Sequence, residues 1–358
     1  MPQSLFFIPD ISGYTNFIQT TEIEHSQHVI AELLEVLIEA NVENLQLAEI
    51  EGDALFFYKE DTIPSQERLL AQIERMYKAF FNHLKLLETN RICPCNACAT
   101  APNLKLKIIA HCGDLQFLEV QGNKKPFGKA VIESHRLLKN SVPSDNYVLI
   151  SKALSEKIWL TSDYKSKLFD FKELSDTYDN EEIPYNYSII DSENLDLKKY
   201  GKPKKVKFNR APNMTFEFIL ETNREQAFEY ISNYQYRNEW TAGVDEFQFN
   251  LHEVTRIDTV HTCVINGKHI DFAAVIKDVE PGQIVYGEHT KSAPPDELYQ
   301  FYIIESLPND KSKVIVELFW KAKSPIKKLL LKLFAKKNFS KGITASFNNL
   351  AEFVRQEK

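Results

Sequence analysis

The chain has 358 residues, 43% of them hydrophobic, and a formal net charge of −7. That length implies two or three domains with sizeable cores, and the acidic balance gives no pull toward nucleic acid. No apolar run approaches the ~18–20 residues that cross a bilayer, no signal-peptide pattern opens the chain, and five cysteines do not make a secreted disulfide framework. A cytoplasmic protein is expected.

Phe6-Phe7-Ile8 runs into Asp10 and reads as a strand, after which Gly13 sits in a turn that opens a helix near Ser12. Val29, Ile30, Leu33, Leu34, Leu37 and Ile38 recur at helical spacing, with Glu32, Glu35 and Glu39 on the other side. Two apolar runs, 45–50 and 54–58, flank Gly52-Asp53 and read as a hairpin with an Asp at its tip. Ser65 begins a further helix, with Glu67 in its first turn and a buried face from Leu69 to Leu84. An irregular insert, 89–103, carries Cys93, Cys95 and Cys98. Residues 104–111 alternate as a strand, and 115–120 are expected to pair back on it after Gly113-Asp114. A helix at 130–139, a strand at 147–150, a helix at 153–159 and a strand at 187–190 follow. This order predicts an α+β sheet with helices mainly on one face. Residues 191–212, with six Lys and two Pro, read as a linker.

The second half predicts a strand at 214–220 and a helix capped by Thr222, with Glu225 three residues later as in a capping box. Strands are expected at 247–254, 259–265, 270–279, 284–288, 298–306 and 314–320, with turn signals at Asn266-Gly267, Pro281-Gly282 and Asn309-Asp310. One long helix, 325–356, closes the chain. Eight Lys and no acid lie between Lys321 and Lys341, interleaved with Leu329, Leu330, Leu331, Leu333 and Phe334. The preferred reading packs the apolar side on the sheet and turns Lys to water. Peripheral contact with anionic lipid is the alternative.

The strand ending at Asp10 and the hairpin tip at Asp53 bring two carboxylates to one end of a sheet if they are neighbours. Oxygen ligands suit a hard cation such as Mg²⁺, and the free N–H groups of the adjoining helix suit phosphate. The segments Phe7-Ile8-Pro9-Asp10-Ile11-Ser12-Gly13-Tyr14-Thr15 and Glu49-Ile50-Glu51-Gly52-Asp53-Ala54 resemble the class III nucleotide cyclases, over roughly residues 4–190. The resemblance implies a ferredoxin-like core, a homodimer with the site between subunits, and a bound nucleoside triphosphate. It implies that Asp10 and Asp53 hold two Mg²⁺ or Mn²⁺ ions, one activating the ribose 3′-hydroxyl and the other holding the triphosphate. Gly13 and Thr15 then border the phosphates. Glu49 stands at the base-selecting position in its guanylyl form, because a carboxylate accepts from guanine N1 and N2.

Residues 126–136 resemble the family's Gly-x-x-Val-Asn-x-Ala-x-Arg helix and put Arg136 at the transition-state arginine. Ile132 replaces the asparagine that orients the ribose, and Lys125 replaces the second base-reading residue. The late phosphate-binding lysine has no counterpart, since Asp179 to Glu182 is acidic. Catalysis of this kind is positioning plus charge stabilisation, so these departures imply a weak or lost cyclase that still binds nucleotide. An active guanylyl cyclase, making cyclic GMP and pyrophosphate from GTP, is the alternative.

Cys93-Pro94-Cys95-Asn96-Ala97-Cys98 has a spacing that can hold Zn²⁺ with a fourth ligand such as Cys112 or His111, or is a reduced loop. The element order of 213–356, with the stretch from Phe228 to Trp240, resembles the START-like, polyketide-cyclase-like (SRPBCC) helix-grip fold. It implies a curved sheet around the last helix and a cavity for a small hydrophobic, lipid-like ligand. Trp240, His261, Cys263, Phe272, Tyr299, Phe301 and Phe319 are the candidate walls, and His261, Cys263 and Ile265 share one strand face. Together the resemblances imply a signalling or regulatory protein with a cyclase-like domain at 1–190, a linker at 191–212 and a ligand domain at 213–358. A lipid-binding protein whose first domain is only structural is the other alternative.

Overall fold

Nine consecutive residues, Ser4–Ser12, are buried and form β1. A strand covered on both faces belongs in the middle of a sheet, and β1 lies there. The computed structural model describes residues 3–201, 203, 205–250, 254–291, 295–331 and 336–357. They fall into two units, 1–88 with 100–200 and 89–99 with 201–358.

In the first unit β1 is followed by α1 (Tyr14–Thr20), α2 (Ile23–Glu39), β2 (Gln46–Glu51), β3 (Ala54–Lys59) and α3 (Gln66–Thr89). After α4 (Asn96–Thr100), which groups with the second unit, come β4 (Lys105–Gly113), β5 (Gln116–Val120), β6 (Asn123–Phe127) and α5 (Lys129–Arg136). β7 (Tyr147–Ser151), α6 (Lys152–Lys157), β8 (Lys172–Tyr178) and β9 (Glu181–Ile189) complete it. Seven strands make one sheet in the order β2-β3-β1-β4-β7-β9-β8. Only β4 and β7 run parallel; the other neighbours are antiparallel.

One sheet face packs Phe6, Ile8, Phe56, Ile109, Leu149 and Tyr185 together with Ala130 and Leu137. α5 comes so close to β4 that a Cβ on Gly113 would stand 2.5 Å from the Ala130 Cβ. On α3 the buried Tyr77 hydroxyl reaches the carbonyls of Leu106 (3.1 Å) and Tyr147 (2.6 Å). α3 therefore reads the backbone of two neighbouring strands, which ties it to the sheet by more than apolar contact.

The structure departs from expectation at three places here. β5 does not pair back on β4; it pairs with β6 in a separate two-stranded ribbon. Gln121 and Gly122, both at positive φ (53° and 79°), close that hairpin as a primed turn does. Strand β8 was not expected, because Lys172–Tyr178 carries charge at several positions and little apolar alternation. It is an edge strand, tied to β9 through Asp179 and Asn180 at positive φ. α1 starts at Tyr14 rather than at Ser12, which is the last residue of β1.

The second unit has β10 (Met214–Leu220), α7 (Arg224–Ser232), α8 (Tyr234–Trp240), β11 (Glu246–Gln248), β12 (Val260–Ile265) and β13 (Lys268–Val275). β14 (Ile284–Thr290), β15 (Glu297–Leu307), β16 (Lys311–Lys321), α9 (Pro325–Leu330) and α10 (Lys336–Gln356) follow. The sheet is antiparallel in the order β10-β16-β15-β14-β13-β12-β11. Asn266 and Gly267 turn β12 into β13 with φ of 49° and 71°. Asn223, not Thr222, caps α7, its side chain accepting from the Gln226 N–H at 2.8 Å. Of the expected terminal helix, the described residues hold α9 and α10, and 332–335, with Leu333 and Phe334, lie outside the described residues. α10 lays Phe347 on Phe218 with ring centroids 4.1 Å apart. No helix among the described residues is long and apolar enough to cross a membrane.

Candidate functional site

Asp10 sits near the end of β1, opposite Ala54 on β3 in an antiparallel pair. Asp53 is the second residue of the two-residue β2–β3 turn, whose first, Gly52, has φ of 66°. Glycine adopts that angle without steric cost, so the turn can stay this short. The Ile11 N–H donates to the Asp53 carbonyl at 3.0 Å, which locks the turn beside Asp10. Both carboxyls thus arrive at one end of the sheet.

Their environment works against charge. Asp10 is 9% exposed. Burial raises its pKa to about 6; Lys107 works against the rise and Asp53 adds to it. Asp53 is also raised, mainly by burial, with Lys107 opposing. Lys107 is the register partner of Asp10 on β4, and its Nζ stands 3.4 Å from Asp10 Oδ2. Two desolvated carboxylates that repel each other are relieved by a cation, and a hard divalent ion fits such oxygen donors. The residues therefore suit Mg²⁺ or Mn²⁺, with the Lys107 ammonium as a built-in competitor. The sequence reading missed Lys107, although the alternation of β4 puts it on one face with Ile109 and His111.

Gly13 is the residue before α1, at φ 90°, and Thr15 is exposed on its first turn. The helix has seven residues and no side-chain cap. Glu49 lies on β2 just after the irregularity between Leu47 and Glu49. Both its carboxylate oxygens accept from Lys125 Nζ, at 2.9 and 3.0 Å. The two positions that the cyclase resemblance makes base-reading thus hold each other.

Arg136, the last residue of α5, pairs with Asp179 at the β8–β9 turn and lies 3.9 Å from Glu181. Lys129, one end of the same helix, pairs with Glu181 at 2.7 Å. Ile132 is exposed on α5. A cavity of about 430 Å³ in this unit is lined by α2 and α3 residues including Val36, Arg75 and His83, and by neither Asp10 nor Asp53.

The sulfurs of Cys93, Cys95 and Cys98 lie within 4.8 Å of one another. Hydrogen bonding to Cys95 and Cys98, with burial, pushes the Cys93 thiol far above its ordinary value. Cys112 and His111, expected as fourth ligands, are not in that group. Cys112 contacts Gln3, and His111 faces Ser151 (2.8 Å) and Glu133 (3.2 Å).

The second unit holds a cavity of about 350 Å³. Trp240, Cys263 and Phe272 line it, with Leu298, Gln300 and Tyr302 from β15. Tyr299, Phe301 and Phe319, expected as walls, are not among its lining residues. They gather around Phe208, whose ring is 3.9 Å from that of Phe319 and 5.3 Å from that of Tyr299. The alternation of β15 sends odd residues to that side and even residues to the cavity. His261 does not line the cavity either; it is buried between Tyr234 and Phe272, and burial pushes its imidazole down to about 4. The cavity wall carries a pair that the sequence reading missed. Arg237 and Glu288, each 4% exposed, meet at 3.1 Å.

A family model described as a protein of unknown function (DUF2652) matches residues 30–147. An uncharacterised protein of Mycobacterium tuberculosis, Rv2561/Rv2562, is 31% identical over 130 residues, which is 36% of this chain. The chain spans 59% of that relative's length. Among solved structures, the adenylyl cyclase CyaB from P. aeruginosa is similar at 14% identity and a TM-score of 0.40, over 53% of this chain and 94% of that one. The guanylate cyclase domain of RhGC from Catenaria anguillulae, solved with GTP, is similar at 16% identity and a TM-score of 0.38, over 53% and 97%. At such scores the likeness assigns no activity.

Proposed function

We propose that this is a regulatory protein whose first unit is a degenerate cyclase-like domain binding a nucleoside triphosphate with a divalent cation. The observation that carries the reading is the meeting of Asp10 and Asp53 at one sheet end, desolvated and mutually repelling. Asp10 and Asp53 hold the cation, which supplies charge for the triphosphate. On this reading the site is completed by a second copy, as the resemblance to the cyclases implies. Turnover is weak or absent on this reading. Ile132 offers no hydrogen bond to a ribose, Arg136 is committed to Asp179, and Glu49 is committed to Lys125.

The test uses the full chain with GTP or ATP and Mg²⁺ or Mn²⁺. Nucleotide raises Tm only when the divalent ion is present, and the rise is lost in Asp10→Asn and in Asp53→Asn. No cyclic product forms, or only a trace. An equal rise in the two variants, or none in the wild type, overturns the proposal. Turnover that vanishes in both variants favours the active guanylyl cyclase.

The cavity favours a second function on the same chain. A volume of about 350 Å³ is within the usual range for a small-molecule site. Its walls are mainly apolar, with Gln300, Thr290 and the Arg237–Glu288 pair as polar points. We read this unit as a START-like domain for a small hydrophobic ligand. A Tm rise with medium-chain fatty acids or sterols supports it; no shift across such a panel removes it.

A further inference from the structure

The segment 90–99 comprises the loop after α3 and most of α4, and backbone pins it to its own unit. Asn90 accepts from the Ile257 N–H at 3.1 Å, and Arg91 forms a bridge with Arg256. Within it Cys93 and Cys98 are buried and Cys95 is half-buried. The three sulfurs lie within 4.8 Å of one another. A tetrahedral zinc with Zn–S bonds of ~2.3 Å puts thiolates about 3.8 Å apart. The cluster therefore needs to contract by no more than about 1 Å to reach that spacing.

The backbone is already arranged for charged sulfur. The Cys95 N–H points at Cys93 Sγ (3.4 Å) and the Cys98 N–H points at Cys95 Sγ (3.3 Å). Such donors spread negative charge away from thiolates, as outer-shell hydrogen bonds do around bound metal. Pro94, between the first two cysteines, fixes φ and has no N–H to compete for them. Cys98 then enters α4, where the Ala99 N–H donates to the Cys95 carbonyl at 3.1 Å, so the third sulfur is held on a formed turn.

We propose that Cys93, Cys95 and Cys98 bind one structural Zn²⁺ that clasps this loop. Soft thiolates select zinc over the hard cations expected at Asp10 and Asp53. Three thiolates and Zn²⁺ leave a net charge of −1, so a neutral nitrogen or oxygen donor suits the fourth corner. Neither Cys112 nor Cys263 belongs to the group. Each thiol that ligates gives up its proton, so loading the site releases protons to buffer. The sulfurs stay reduced and no redox step is involved.

The experiment uses the full chain purified without chelator, under reducing conditions. Elemental analysis finds about one zinc per chain, a stoichiometry usual for a structural site. Stripping the metal with a strong chelator makes three additional thiols reactive, and readdition of Zn²⁺ protects them and releases protons. Co²⁺ in place of Zn²⁺ gives sulfur-to-metal charge-transfer bands. Cys93→Ser, Cys95→Ser and Cys98→Ser each weaken Zn²⁺ binding at least tenfold, whereas Cys112→Ser and Cys263→Ser leave it unchanged. The chelation and cobalt measurements use unmutated protein, so a variant that fails to fold does not rescue the proposal. Reduced protein with no zinc, no Zn²⁺-dependent thiol protection and no cobalt–sulfur bands overturns it. So does a Cys95–Cys98 disulfide found in the fresh protein. Nucleotide binding at Asp10 and Asp53 is read separately and is untouched by either result.

Discussion

The Lys125 ammonium sits astride the Glu49 carboxylate, 2.9 Å from one oxygen and 3.0 Å from the other. Both side chains are about half exposed, Lys125 at 59% and Glu49 at 42%. An exposed pair contributes little to stability, about 0–1 kcal/mol. Its effect is instead on what the carboxylate is free to accept. Lys125→Ala is expected to move Tm by no more than about 2–4 °C. The same change frees Glu49 for the N–H donors of guanine and tightens GTP relative to ATP. Calorimetric titration of both nucleotides measures this; an unchanged ratio removes Glu49 from base reading.

Asp10 makes a pH prediction. Its pKa rises from an ordinary 3.8 to about 6, first through burial. Between those values the folded chain keeps a proton that the unfolded chain has lost, so this group lowers stability as pH rises through that window. The penalty is complete above about pH 6 and amounts to roughly 3 kcal/mol. Asp10→Asn cannot ionise, so it is expected to stabilise the cation-free protein at pH 7.5 and to match wild type at pH 4. Urea unfolding at the two pH values tests it. A variant less stable than wild type at pH 7.5 contradicts the assignment. Divalent-ion binding needs the ionised form and should weaken as pH falls below 6.

Gly113 tests the packing that carries α5. A methyl group there would meet Ala130 Cβ at 2.5 Å, so strand and helix must separate. Gly113→Ala is expected to cost about 1–3 kcal/mol by overpacking. The double variant Gly113→Ala/Ala130→Gly opens the opposing position and recovers part of that loss. Equal stability of Gly113→Ala and wild type would mean that α5 does not approach β4 this closely.

The cavity of the second unit makes a prediction about sides. Ile265 is on its wall and Tyr299 is not. Ile265→Trp is expected to fill the space and abolish binding of an apolar dye such as anilinonaphthalene sulfonate. Tyr299→Ala, on the Phe208 side, leaves dye binding within about twofold, roughly 0.4 kcal/mol. The opposite pattern in fluorescence titrations would place the cavity on the other face.

Arg237 and Glu288 meet in the same region. Arg237 Nη1 also donates to the Ile231 carbonyl at 3.0 Å, and the Tyr286 hydroxyl donates to Glu288 at 3.0 Å. Removing one partner of a buried pair strands a charge. Glu288→Ala is therefore expected to cost about 3–5 kcal/mol. Arg237→Met/Glu288→Leu costs much less, because no charge is left buried. Denaturant midpoints of the three proteins decide it, and additive losses would show that the pair is not coupled.

Local order was legible because it is periodic. The helical spacing from Val29 to Ile38 predicts α2, and Asn266-Gly267 predicts the β12–β13 turn. β8 was not legible, since an edge strand needs little apolar alternation. Nor was the β5–β6 ribbon, because nothing local says whether a strand pairs backward or forward. At the candidate sites, residue type and spacing named Asp10, Asp53 and the three cysteines of the loop.

What the residues determined by themselves is which side chains share a face and which chemistry each carries. Only the folded structure decided the partners. Lys107 came to Asp10 through the register of β1 on β4, and Lys125 came to Glu49 across 76 positions of chain. On β15 the period of two was plain, but not which side faced the cavity. Phe208 covers the odd residues, and that choice depends on what packs against each sheet face, which no local pattern contains.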